Sequence, residues 1–255
     1  MSTSSAAEIP RSVQEFAALT PELLAQRLAG PPEEAAQWIL SSAKFGVPEA
    51  QALYGQILLD GRGVEKDPAQ ARAWFQQAAH GGHAMGMNML GRCHELGWGG
   101  PEDLLIAAYW YQQAAERGLD WGMYNYANLL SHDDSVLGDR PRALEWYRKA
   151  AAMGHAKSIN LVGRFYEEGW VVGSDLDMAF DYYRRSAESG DFRGQYNYGR
   201  MLADRGCVDE GAAWALKTLD TATPGFIRKM GLALQDSPHE AFRAVAKAAL
   251  QQSLA

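Results

Sequence analysis

The sequence predicts an all-α chain, a right-handed α-solenoid built from one helical hairpin written again and again. Three observations predict it. Gly46, Gly82, Gly118, Gly154 and Gly190 recur every 36 residues without a slip. Other columns keep the same register: Gly55, Gly91, Ala127, Gly163, Gly199; Asp67, Asp103, Asp139, Asp175; and Trp38, Trp74, Trp110, Trp146, Tyr182. Between these markers the apolar residues fall at helical spacing, as in Ala71, Trp74, Phe75, Ala78 and Ala79. A period of this length is the mark of stacked repeats, each unable to bury its apolar face alone.

Each column has a mechanical reason. The aspartates precede the second helix of each hairpin, where a carboxylate accepts orphan backbone N–H groups, and Pro68 follows at the first helical position. This B-helix closes at the 36-residue glycine, which adopts a left-handed turn without a Cβ penalty. The A-helix of each hairpin carries a small residue at Ala50, Gly86, Gly122, Ser158 and Gly194, which lets a neighbouring helix approach closely. It ends in a glycine turn at Gly61, Gly97 and Gly169, with Asp133 standing in the third copy. The B-helix aromatics, Trp74 and Phe75 and their equivalents in the other copies, are read as the bulky rings that fill the core.

The ends read as caps. Residues 1–12 read as a disordered tail, 13–46 as N-terminal capping helices, 47–222 as five to six repeats and 223–255 as C-terminal capping helices, all one continuous domain. Twelve to fourteen helices are expected. In the fifth repeat "GAAWALKTL" brings Trp214 in four residues early. Near the C-terminus Ser237, Pro238 and Glu240 read as a capping box opening a last helix, with Phe242, Val245, Ala246, Ala249 and Leu250 as its inner stripe.

Composition bounds the function. A net charge of −7 argues against gripping nucleic acid through a global field. No apolar run is long enough to span a bilayer, and the first residues lack the basic and apolar regions of a secretory signal. Cys93 and Cys207 occupy different places in the repeat, so they are no disulfide framework. A cytoplasmic location is expected.

"LYGQILLDGRGVEKDPAQARAWFQQAAHGG" (53–82) resembles the Sel1-like repeat, a relative of the tetratricopeptide repeat. The resemblance extends over residues 47–222. It implies an α-solenoid of bacterial type that serves as a protein-interaction platform. The third copy departs from the pattern by losing its loop glycines, and the fifth by its shortened loop.

Chemistry is sparse. His80, His83, Cys93 and His94 are the densest cluster of possible metal ligands, but His83 and His94 mark opposite ends of one helix, roughly 16 Å apart at about 1.5 Å per residue. Zinc needs its ligands within about 2.3 Å of one point. No catalytic motif occurs, and neither a cofactor, a metal nor an enzymatic activity is expected. The A-helices offer a binding surface instead. Asn88, Tyr124, Asn160 and Tyr196 form one column, and Arg92, Asn128, Arg164 and Arg200 lie four residues on, so each pair shares a helix face. Placed away from the core, the eight residues would line a concave groove, three of them as unpaired arginines. Amides can clamp a peptide backbone and guanidinium groups pair with carboxylates in a fork. Trp98 and Trp170, in the loops between A- and B-helices, are a second candidate surface. The expected function is a non-enzymatic scaffold or adaptor for a protein or peptide bearing acidic side chains. The rival is a regulatory or chaperone-like subunit dedicated to one enzyme.

Overall fold

Capping aspartates and left-handed glycines divide the chain into short helices of closely similar length. The computed structural model describes residues 29–132 and 136–253, with a few isolated positions before residue 29. Most of the tail 1–12 and of the segment 13–28, and Asp133, therefore lie outside the described residues. Among the described residues there are thirteen α-helices, one 3-10 turn and no strand.

The chain divides into two compact units, Met1–Leu129 and Leu130–Ala255. The first contains α1 (Pro32–Lys44), α2 (Pro48–Asp60), α3 (Pro68–His80), α4 (Ala84–Glu95), α5 (Leu104–Glu116) and all but the last residue of α6 (Asp120–Leu130). The second contains α7 (Arg140–Ala152), α8 (Ala156–Glu168), α9 (Leu176–Glu188), α10 (Phe192–Asp204), α11 (Val208–Lys217), a 3-10 turn (Thr218–Asp220), α12 (Pro224–Leu234) and α13 (Glu240–Gln252). Helices pack chiefly on their neighbours in sequence, with further contacts between α2 and α4 and between α8 and α10, the next A-helix along. That is the helical-hairpin repeat.

The capping chemistry is as expected from the sequence. Asp67 accepts from Gln70 N–H at 2.9 Å, Asp103 from Leu105 and Ile106, Asp139 from Arg142, and Asp175 from Asp177 and Met178. At the other end of α3, Gly82 has φ +85° while its N–H and that of His83 return to the carbonyls of Ala79 and Ala78. This is a Schellman closure.

The glycine in the middle of the A-helix is there for space. A Cβ on Gly91 would lie 2.7 Å from the Tyr111 ring. The small column likewise lets α4 meet α3: a Cβ on Gly86 would sit 2.6 Å from Ala78 Cβ.

The core rings need correcting. Of the two aromatics read as core in each B-helix, the second, Phe75, Tyr111, Tyr147 or Tyr183, is the fully buried one. Trp74, Trp110, Trp146 and Tyr182 are only partly buried, although Trp38 in α1 is buried. Adjacent residues on a helix point about 100° apart, and both are aromatic, so spacing alone does not choose between them. The interior ring is the one that lies against the A-helix glycine, Phe75 on Gly55, Tyr111 on Gly91 and Tyr183 on Gly163, and Tyr111 and Tyr183 also find a carboxylate for the hydroxyl.

The last helix also starts differently. α13 opens at Glu240 after His239, without a side-chain cap, and Ser237 Oγ instead accepts from His239 N–H at 3.3 Å. Ser237 thus makes a local turn ahead of the helix, and Arg243 donates to the Ser237 and Pro238 carbonyls. The inner stripe is as read: Phe242, Val245, Ala246 and Ala249 are buried, with Leu250 partly so.

Candidate partner-binding surface

In the first unit, A-helix α4 carries Asn88 and Arg92, and α6 carries Tyr124 and Asn128. Asn88 is only 4% exposed, and its Oδ1 accepts from Asn125 Nδ2 at 2.8 Å. The amide joins successive A-helices. Arg92 lies over the Trp98 ring, 4.8 Å from its centroid. Together with Gln56, Asp60, Lys66 and Met89, these two residues line a cavity of about 430 Å³. Tyr124 packs edge-on against Trp121, and Asn128 is partly buried with its own partner.

Below this surface, Tyr111 donates its hydroxyl to Glu95 at 2.5 Å. Burial, then that hydrogen bond, hold the phenol far above its ordinary pKa, so it is a permanent donor.

The second unit repeats the plan with more charge. Asn160, 4% exposed, accepts from Asn197 at 2.9 Å. Arg164 lies 4.8 Å from the centroid of Trp170, on which Arg140 also stacks at 4.6 Å, and it approaches Glu168 at 3.9 Å. Arg200 donates to Glu167, which also accepts the Tyr183 hydroxyl at 2.6 Å, and lies 3.7 Å from Asp204. Burial works against the Arg200 charge, but Glu167, together with Tyr183 and Asp204, raises the guanidinium pKa overall. Tyr196 meets Phe226 edge-on at 5.8 Å, and burial raises its phenol pKa too. A groove of about 500 Å³ runs past Arg164, Arg193, Tyr196, Arg200 and Phe226.

Three expectations are thereby revised. Asn88 and Asn160 face the neighbouring A-helix, since an isolated buried amide is costly and a facing amide removes the cost. Arg200 is ion-paired, so the arginines are not three uncompensated charges. Finally, Trp98 and Trp170 do not form a surface separate from the ladder: each is a platform for the ladder arginine of its own unit.

Arg193 is the groove residue that sequence reasoning missed. Its guanidinium lies over Phe192 at 4.4 Å and Phe226 at 6.0 Å. Its column reads Glu49, Met85, Trp121, Lys157, Arg193, so nothing constant drew attention to it.

The histidines are engaged elsewhere. His83 Nδ1 accepts from Gly86 N–H at 3.1 Å as the cap of α4, and His155 caps α8 in the same way. His94 is buried against Arg72, whose Nη2 lies 3.2 Å from its ring; burial first, then the guanidinium, lowers its pKa. Burial likewise pushes the Cys93 thiol up to about 11. Among the described residues no three His, Cys, Asp or Glu side chains are grouped to hold a metal ion, and no helix is long and apolar enough to cross a membrane.

Comparison with known proteins agrees with this architecture. A family model described as the Sel1 repeat matches residues 48–83, 84–119, 122–155 and 156–191. Among solved structures, a Sel1 repeat protein from Oxalobacter formigenes is 22% identical with a TM-score of 0.77, covering 90% of this chain and 98% of its own. A protective antigen of uropathogenic Escherichia coli with an SLR fold, c5321, is 22% identical with a TM-score of 0.73 over 87% of this chain. The match spans only 48% of that protein, about half its length. The immunity protein Pa5087 of Pseudomonas aeruginosa is 14% identical, with a TM-score of 0.55 and 81% of each chain covered. Comparison with functionally curated proteins returns no match.

Proposed function

Because the chain belongs to the Sel1-repeat family, whose members are generally non-enzymatic protein-interaction scaffolds, we propose that it is an adaptor whose A-helix grooves hold a peptide segment of a partner protein. The segment presents acidic side chains, and the second unit is its principal seat. One observation carries this reading. In a chain of net charge −7, Arg164, Arg193 and Arg200 converge on one groove beside the Tyr196 and Phe226 rings. Glu167 compensates Arg200, and Arg164 has only the exposed Glu168 at 3.9 Å, so Arg164 and Arg193 are the guanidinium groups on offer. A charge-assisted hydrogen bond contributes about 1.5–3 kcal/mol, and the flanking rings accept an apolar neighbour of the acidic residue.

The test is affinity capture with the full chain, read by mass spectrometry, beside an Arg164→Glu/Arg193→Glu double variant. Both positions are exposed, so the melting temperature should stay within a few degrees. The expected result is loss of at least about tenfold of the captured protein, the equivalent of about 1.4 kcal/mol. Undiminished capture by a folded double variant rules out the groove. The rival reading, a regulatory or chaperone-like subunit dedicated to one enzyme, calls for a single stoichiometric partner in place of several substoichiometric ones.

A further inference from the structure

One packed site in the first unit is filled by charge where the other hairpins fill it with apolar or aromatic side chains. Arg72 on α3 meets His94 on α4: its Nη2 lies 3.2 Å from Nδ1 and 3.3 Å from Nε2 of the ring. In the other hairpins the same two positions hold Ala36 and Leu58, Ala108 and Leu130, Leu144 and Tyr166, and Phe180 and Leu202. Well-packed apolar residues often serve a buried site as well as a charged group does. The hairpin fold therefore does not call for Arg72 and His94.

Hydrogen-bond chemistry ties the pair to one protonation state. A guanidinium only donates, so the His94 ring must offer a lone pair, which neutral imidazole has and imidazolium lacks. Arg72 keeps its charge throughout. Protonating His94 would set two cations 3.2 Å apart, at a ring only 8% exposed. Two charged groups act on that ring, Arg72 from α3 and Asp103 just ahead of α5. Burial and Arg72 disfavour the imidazolium, Asp103 favours it, and the balance holds the pKa below its ordinary value.

The pair also underlies a loop. Arg72 Nη1 is buried beneath Gly100, where a Cβ would lie 2.2 Å from it. The His94 carbonyl accepts from Asp103 N–H at 2.8 Å, and the Cys93 carbonyl accepts from Trp98 N–H at 3.0 Å. Trp98 stands between these ties as the platform of Arg92 and a wall of the cavity of about 430 Å³. The second unit has the same ties without the charged pair: Trp170 N–H to the Phe165 carbonyl at 3.1 Å, and Asp175 N–H to that of Tyr166 at 2.9 Å. We propose that Arg72 and His94 form an acid-released latch: when His94 takes up a proton the pair separates, the loop 97–100 lifts and Trp98 leaves the first-unit cavity. Release of a partner seated there rests on the adaptor reading above; the latch itself does not.

Amide hydrogen exchange of the full chain, corrected for the intrinsic pH dependence of exchange, tests this. Opening takes up one proton. The closed loop therefore has its full stability above the ordinary histidine value of 6.5 and loses it as pH falls towards the lower value of the closed state. At about pH 5.5 the protection of the Trp98 and Asp103 amides should fall severalfold, with about tenfold the ceiling for one proton over one pH unit. The Trp170 and Asp175 amides, at the same places in the second unit, should keep theirs. Arg72→Ala/His94→Leu copies Ala108 and Leu130 of the next repeat and should abolish the response. Should that variant lose helix, His94→Gln keeps an acceptor for Arg72, does not titrate and should respond as little. Both variants retain His83, the cap of α4. An equal fall in both units overturns the proposal, as does no fall down to about pH 5.5, or a fall that survives in either folded variant. A fall confined to Trp98 and Asp103, beside undiminished partner capture, supports the latch and tells against the first-unit cavity as a partner's seat.

Discussion

Glu95 in the first unit and Glu167 in the second stand at the same place in the repeat, two repeats apart. Each accepts the hydroxyl of a buried tyrosine, Tyr111 at 2.5 Å and Tyr183 at 2.6 Å. Around them the units also share the amide pairs Asn88–Asn125 and Asn160–Asn197, and the arginine–tryptophan stacks, both at 4.8 Å. Then the units part. Glu167 additionally holds Arg200, where the first unit has Asn128. α9 shows paired aspartates where α5 shows leucine and tyrosine, and Val171 occupies the loop position of Gly99. The shared contacts are what a pair of hairpins needs in order to stack. The differences cost the fold little and lie at the surface, where recognition happens.

The loop position gives the largest expected effect. Gly99 has φ +73°, and a Cβ there would lie 2.2 Å from the Pro68 carbonyl oxygen and 2.7 Å from Ala69 Cα. Both are backbone atoms of α3 and cannot swing aside. Gly99→Ala therefore combines a left-handed penalty of about 1–2 kcal/mol with overpacking of about 1–3 kcal/mol. A loss of about 2–5 kcal/mol should appear in urea denaturation. A loss below about 1 kcal/mol would mean that this loop is free to move away from α3.

The buried tyrosines sharpen the comparison. Tyr111→Phe removes the hydroxyl from Glu95, and stranding a partly buried acceptor costs about 1–3 kcal/mol. Tyr183→Phe leaves Glu167 still bound to Arg200, so its cost should be smaller, about 1 kcal/mol or less. In an Arg200→Ala background the Tyr183→Phe cost should climb towards the Tyr111→Phe value. Equal costs for the two single variants in the wild-type background would show that the ion pair contributes nothing to holding Glu167.

What could be read from the sequence follows the same division. Asp67, Asp103, Asp139 and Asp175 recur because every B-helix has orphan N–H groups, and Gly82 and its equivalents recur because every hairpin needs the same left-handed turn. Column reading finds demands that all repeats share. It stumbles where two residues meet the demand equally, as with Trp110 and Tyr111: the choice rests on which ring meets Gly91, on the preceding helix. It misplaced Asn88 because a lone polar residue on an A-helix reads as solvent-facing until Asn125, on the next A-helix, is brought opposite it. It passed over Arg193 because a residue particular to one repeat leaves no column.

Val171 offers the smallest effect and the most direct test of the loop comparison. Among the described residues it is the only non-glycine with a left-handed φ, +66°, and it is β-branched. Val172 N–H donates to the Trp170 carbonyl at 2.7 Å, so Val171 sits at the centre of a three-residue turn of the strained hand. The side chain is 50% exposed and gains little by burial to offset the strain. Val171→Gly should relieve about 1–2 kcal/mol of backbone strain and give back about 0.5–1 kcal/mol in unfolded-state entropy. The net expectation is a stabilisation of about 0.5–1 kcal/mol, opposite in sign to Gly99→Ala at the same place in the first unit. If the variant is instead destabilised, the valine side chain is holding the turn that presents Trp170 to Arg140 and Arg164. Weaker partner capture should then accompany the lost stability. If it is stabilised and captures its partner less well, the strain belongs to recognition and is maintained at the expense of the fold.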